Sequence, residues 1–419
     1  MWHQNWNFNE WQAISIYGTD ILLLILFGFW FFRGAKLKIE KYDYFLFALV
    51  AVSAISIKNS SSFYLSAYNV LKLIEFIVFY FYIKSYAIYK FGFNRSLLAL
   101  ICGAVFQAII AILQFFRQSD LGLRYLGESV LRKDLTGVAS FYNLHGEKVI
   151  RAYGTTPHPN ILASYLFLAM FAFYFVYLYF HIYHQNKIYN PKLDYFLLGS
   201  YPILLLALFF TFARVIIFLW FAGFVIRTFF VLSKKDFRSI FSRGLNRIKL
   251  TKILIVGTMV VVLFSVFYWP EAVSRIKMSS DEEAVQLRIF YNKESLKSLN
   301  WFGFGAGNFV NWLMVKDPNL SRNLYQPVHN IYLLIYSETG ILGIAAFILF
   351  LIFLIKDFSV RTKMEKFYHY SFLIMFLSFL FVGLFDHFLW TLQQGRLVFW
   401  LLCAWLTLFK GGDDSPPPI

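Results

Sequence analysis

Apolar residues run in long blocks with few charges, separated by polar stretches, from one end of the chain to the other. Crossing a hydrocarbon layer of about 30 Å takes about 20 helical residues. Stretches of that order recur at roughly 14–32, 42–57, 63–83, 96–116, 159–181, 194–213, 214–232, 252–269, 329–355, 371–389 and 395–409. Two of them meet at Thr211 to Arg214 with almost no loop. The pattern predicts an all-α membrane protein with about 11 transmembrane helices.

Lys and Arg set the orientation, because short cytoplasmic loops hold the positive charge. Arg33, Lys36, Lys38 and Lys41 follow the first span, Lys84, Lys90 and Arg95 the third, and Lys187 and Lys192 the fifth. Lys234, Lys235, Arg238, Arg243, Arg247, Lys249 and Lys252 follow the seventh, and Lys356, Arg361, Lys363 and Lys366 the ninth. The short loops between, such as Asn59 to Ser62, carry almost none, so the N-terminus is expected outside and the C-terminus inside. The first span has no small-residue cleavage site and reads as a retained helix. Two large loops, about 117–158 and about 270–328, then face outward within a single polytopic membrane domain over 1–410. The stretch 411–419, with Asp413, Asp414 and three prolines, reads as a disordered tail.

Composition agrees: 59% hydrophobic and only 15% charged residues exclude a soluble domain of this length. The net charge of +16 sits largely in the inner loops, where topology and anionic lipid headgroups account for it, so no nucleic-acid partner is expected. Cys102 and Cys403 both fall inside spans and offer neither a disulfide framework nor a thiolate metal site. No inverted internal repeat of the transporter kind is visible.

The chemistry-bearing residues gather in the outer loops and at the helix ends beside them. Before the fifth span stands Arg151-Ala152-Tyr153-Gly154-Thr155-Thr156-Pro157-His158-Pro159-Asn160. A rigid helix start accounts for both prolines and for Asn160, whose side chain can cap the span. It does not require Arg151 or His158. Arg214 lies between two apolar runs, where an arginine costs at least about 2.5 kcal/mol if deep. An outer-side position favours a buried anion as its partner over simple snorkelling.

In the second loop Ser280 and Glu283 have capping-box spacing ahead of a helical apolar period at Ala284, Leu287, Tyr291 and Leu299. A solvated face accounts for Lys293 and Lys297 but less well for Arg288, which has no acidic residue three or four positions later. Gly303, Gly305 and Gly307 lack the βαβ setting of a nucleotide fingerprint and read as a turn that lets backbone approach closely. His329 and Asn330 then open the ninth span. Helix capping would explain the histidine; equally, an imidazole with an ordinary pKa near 6.5 can take a proton at neutral pH. Glu338 lies about 13.5 Å further along the helix, out of reach of His329. It is expected to pair with another helix, which Gly340 and Gly343 would allow to come close. Lys72 and Glu75, three apart, read as a self-neutralising pair.

Taken together the chain resembles the O-antigen ligase and O-antigen polymerase superfamily of bacterial membrane glycosyltransferases. The residues 151–160 look like the family's Arg, Gly, Pro-Asn pattern. Thr211-Phe212-Ala213-Arg214 is similar to its arginine between adjacent spans, and 303–343 looks like its glycine turn, His-Asn helix start and Glu-x-Gly. The resemblance implies a GT-C-like fold in the bacterial cytoplasmic (inner) membrane. It also implies a glycan linked to undecaprenyl pyrophosphate as donor, a glycan or glycolipid acceptor, and neither metal nor other cofactor.

On this reading Arg214 and Arg288 would grip the pyrophosphate, with Arg151 as a third candidate, and His329 would act on the acceptor hydroxyl as a metal-independent, inverting catalyst. Asn330, His158, Asn160 and Glu338 are candidates for substrate binding. The ligase branch commonly has twelve spans with both ends inside; a missing first helix would reconcile that with the eleven expected here. A polymerase of the same superfamily, a lipid-linked glycan transporter and an inert envelope partner are the alternatives.

Overall fold

The computed structural model describes residues 10–183, 191–233, 244–276, 283–297, 300–357 and 363–409. Helices occupy all eleven apolar stretches. Among the described residues six are long and apolar enough to cross a membrane: Phe63–Phe91, Phe93–Arg117, Pro159–Leu178, Pro191–Phe210, Arg247–Phe267 and Ile331–Lys356. The chain is a multi-pass membrane protein. The basic stretch 234–243, the capping-box residue Ser280 and the tail 411–419 lie outside the described residues.

The fold comprises two compact units, one from Met1–Lys90 with Ser280–Pro418, the other from Phe91–Ser279. The first unit begins with α1 (Gly18–Phe32), α2 (Asp43–Ser56) and α3 (Phe63–Tyr82), which continues through a π-helical turn at Ile83–Ala87 into Ile88–Phe91. The second contains α4 (Phe93–Arg117), α5 (Pro159–Tyr183), α6 (Pro191–Phe210), α7 (Arg214–Ser233), α8 (Gly244–Phe267) and the short α9 (Trp269–Ile276). The chain then returns to the first unit with α10 (Glu283–Leu296), α11 (Phe309–Lys316), α12 (Ile331–Lys356), α13 (Lys363–Val382), α14 (Phe388–Thr391) and α15 (Gln393–Leu406).

In the first unit α12 packs along α2, and α15 and α1 pack on α3. Large apolar side chains such as Leu24 and Phe29 of α1 remain exposed, as expected of a lipid-facing surface. Two buried lysines of this unit are paired, since an isolated ion in hydrocarbon is costly. Lys72 binds Glu75 at 3.0 Å, as its spacing predicts, but also Asp20 of α1 at 2.5 Å, so the expected pair is part of a triad. Lys84 binds Asp43 at 2.6 Å, and the Tyr80 hydroxyl donates to the same carboxylate.

In the second unit α4, α5 and α6 pack on one another and α8 covers α6. The all-α expectation is corrected in one place: within 117–158, β1 (Ser140–Tyr142) and β2 (Lys148–Ile150) pair antiparallel, with Phe141 opposite Val149. The turn between them is held by Asn143, whose side-chain oxygen accepts from the amides of His145 and Glu147.

Candidate active site

His329 precedes α12, and the cap of that helix is its neighbour. The Asn330 side-chain oxygen accepts from the amides of Tyr332 at 2.9 Å and Leu333 at 3.1 Å, an arrangement worth about 1 kcal/mol. His329 is therefore free of capping duty. Its ring stacks on Tyr291 of α10, with centroids 5.8 Å apart and 21° between planes. It also meets the edge of His387 at 4.9 Å and 80°. His329 Nδ1 is buried without a hydrogen-bond partner.

Burial pushes the His329 pKa below its ordinary value of 6.5; Asp386 opposes this, and the Arg288 guanidinium reinforces it. Arg288 Nε is likewise buried without a partner. The structure thus brings two of the sequence-selected residues, His329 and Arg288, to one place. It holds an imidazole that stays neutral at neutral pH beside a cation whose donors are not all engaged. Burial raises the Tyr291 hydroxyl to about 12, and that hydroxyl donates to the Leu324 carbonyl at 2.6 Å.

The glycine-rich segment has a specific use. At Gly340 the backbone leaves the helix, with φ 73° and ψ −168°, and α12 is interrupted there. The 300–305 backbone occupies the break: Phe304 and Gly305 amides donate to the Ser337 and Glu338 carbonyls, and Ile341 and Leu342 amides donate to the Asn300 and Trp301 carbonyls. A Cβ at Gly303 or at Gly340 would overlap the opposite backbone. The close approach expected for these glycines is made between loop and broken helix.

Glu338 meets another helix, as expected, at that helix's N-terminus. Its carboxylate is bound by the backbone N–H groups of Gly307 and Phe309 at the start of α11, with Arg396 of α15 as a nearby charge. A carboxylate suits that helix terminus, which carries unpaired amides and positive partial charge. Glu338 with Asn69, Thr391 and Arg396 lines a cavity of about 40 Å³.

The other selected residues belong to the second unit. Arg151 is buried; its Nε donates to the Thr211 carbonyl at 2.6 Å and a terminal nitrogen to Asn160 Oδ1 at 2.7 Å. Asn160 does not cap α5 as expected. The helix starts at Pro159, and the Asn160 amide instead donates to His158 Nδ1 at 3.2 Å. The geometry explains why: Arg151 recruits the Asn160 side chain, and the neighbouring imidazole supplies the substitute acceptor. Phe212, at φ 47°, forms the turn between α6 and α7, and Arg214 opens α7 while donating to the Arg275 carbonyl at 3.3 Å.

Sequence reasoning missed Asp386 and His387, because 371–389 reads as one apolar span. In fact α13 ends at Val382. The signal was available: an adjacent acid and imidazole at Asp386 and His387, preceded by Gly383. It also missed Trp11, whose ring meets the edge of His387 at 4.9 Å. Among the described residues no three His, Cys, Asp or Glu side chains are grouped as a metal ion would need.

The family model described as O-antigen ligase matches residues 200–348. That stretch contains Arg214, Arg288, His329, Asn330 and Glu338, and leaves out Arg151, His158 and Asn160. No curated protein and no solved structure matches the chain.

Proposed function

From the membership of its 200–348 stretch in the O-antigen ligase superfamily, we propose that this membrane protein transfers a glycan from undecaprenyl pyrophosphate to an acceptor hydroxyl at the outer face of the bacterial cytoplasmic membrane. The observation that carries the proposal is the partly buried His329, held below its ordinary pKa with its buried Nδ1 unengaged, beside Arg288. A general base must be neutral before it accepts a proton and must have a nitrogen to accept it.

In the reaction His329 takes the proton of the acceptor hydroxyl as that oxygen attacks the anomeric carbon. The bond from that carbon to the pyrophosphate oxygen breaks, undecaprenyl pyrophosphate leaves, and the anomeric centre inverts. Arg288 binds the pyrophosphate and meets the charge that grows on the leaving oxygen. Arg214 is a second anion-binding residue, selected on its place in the family stretch. Arg151 has a different part: with Nε and a terminal nitrogen engaged by Thr211 and Asn160, it holds the turn that carries Arg214.

Arg288→Gln tests this directly. A charge-assisted hydrogen bond is worth about 1.5–3 kcal/mol, so turnover should fall by about tenfold to a hundredfold or more, with partial recovery in Arg288→Lys. Unchanged turnover in Arg288→Gln overturns the assignment. Release of undecaprenyl pyrophosphate identifies an enzyme, whereas movement of intact lipid-linked glycan across proteoliposomes identifies a transporter.

A further inference from the structure

His329 is one of two imidazoles in contact, and the second, the buried His387, has no part in the reaction as derived above. His387 sits at the start of α14, in the chain that links α13 to α15. Two hydrogen bonds tie the end of α13 and the start of this link to the first turn of α12, beside His329: the Ile331 amide donates to the Gly383 carbonyl at 2.8 Å, and the Tyr332 hydroxyl to the Leu380 carbonyl at 2.8 Å. His387 itself is oriented from three sides. Its amide donates to Asp386 Oδ1 at 2.8 Å, its Nδ1 lies 2.7 Å from the Thr391 hydroxyl, and the Trp11 ring packs on it. The Thr391 hydroxyl also donates to the His387 carbonyl at 3.2 Å, which leaves its oxygen to accept from Nδ1–H.

We propose that His387 is the positioning residue for His329: it holds the His329 ring edge-on and takes the first proton of the pair, so that His329 remains the neutral member. The proposal rests on the transferase reading for its purpose. The pairing rests on the geometry alone.

Two imidazolium rings with centroids 4.9 Å apart repel, and such a pair takes its protons in two separated steps. The groups facing His329 settle which ring waits. Arg288 of α10 disfavours a second positive charge, while Tyr291 of the same helix keeps its proton throughout the neutral range. Asp386, from the same link as His387, is the one opposing charge. On His387 the Thr391 oxygen accepts from Nδ1–H, so the proton that gives this ring its charge enters at Nε2. A proton there raises the cost of protonating His329 and extends the pH range in which it can act as a base.

The experiment follows the side-chain nitrogen resonances of the histidines in ¹⁵N-histidine-labelled full-length protein in nanodiscs, from pH 5 to pH 8.5. Wild type, His387→Asn and Thr391→Val are compared, with folding checked by thermal unfolding. Without the neighbouring charge the His329 midpoint should rise by about one pH unit in His387→Asn, and by less in Thr391→Val. The acidic limb of the kcat/KM profile should move up by the same amount, while kcat above pH 8 stays within a few fold.

A His329 midpoint unmoved in both variants, or an equal loss of kcat/KM at every pH, overturns the proposal and leaves His387 a packing residue. Should His387→Asn fail to fold, Thr391→Val decides alone. A shifted midpoint in a protein that transfers no glycan supports the pairing and defeats only the transferase reading. Normal transfer without the shift does the reverse.

Discussion

Replacing Gly340 by alanine probes how the part of α12 that follows His329 is held. The residue sits at φ +73° with extended ψ, a conformation almost confined to glycine, and an added Cβ would overlap the Trp301 carbonyl and the Phe302 amide. If the junction holds, backbone strain costs about 1–3 kcal/mol and overpacking about 1–3 more. If the loop withdraws instead, four backbone hydrogen bonds are lost at about 1 kcal/mol each, and the Glu338 contacts with them. Both routes cost about 2–6 kcal/mol, so no inexpensive relaxation exists.

Amide hydrogen exchange read by mass spectrometry in detergent resolves this. Peptides spanning 300–308 and 331–341 should exchange about a hundredfold faster in Gly340→Ala, while peptides of α4 and α6 keep their protection. Gly199→Ala, where a Cβ meets nothing within 4 Å, is the control and should change neither. Equal protection of 300–308 in Gly340→Ala and wild type would refute the reasoning.

Three further outcomes are expected. Arg151→Ala should lower thermal stability by about 2–4 kcal/mol through two lost charge-assisted bonds, whereas an Arg151 that serves only substrate would leave the unfolding temperature unchanged. The transfer rate should be flat above pH 6.5 and fall only below it, because the His329 pKa is depressed; a decline that begins above pH 7 contradicts this. Stability follows the same sign. Between the depressed pKa and 6.5 the unfolded chain holds more protons than the folded one, so wild type should lose stability as pH falls through that window, and His329→Phe should lose less.

The helices were legible because a hydrocarbon layer selects long apolar blocks, and hydropathy reads those locally. Two candidates stand out locally for related reasons: His329 as a titratable group at the start of an apolar helix, and Arg288 as a helical cation with no acidic residue three or four positions later. What local pattern does not carry is long-range partnership. The period of the Lys72 helix reveals Glu75 but not Asp20, which arrives from another helix. Gly303 and Gly340 each announce a close approach, yet nothing in either stretch says that they approach each other. Asn160 was misread because its capping capacity is intrinsic, whereas its recruitment by Arg151 depends on the folded loop. His387 was hidden because an apolar stretch that contains two polar residues still scores as a span.

The measurement that bears most directly on the account compares wild type with His329→Ala, purified and supplied with an undecaprenyl-pyrophosphate glycan and candidate acceptors, with both glycan product and released undecaprenyl pyrophosphate followed. The account predicts transfer and release by wild type and loss of both in folded His329→Ala. A single extension would mark a ligase and a ladder of lengthening lipid-linked glycans a polymerase. Equal turnover in the variant would contradict the central assignment.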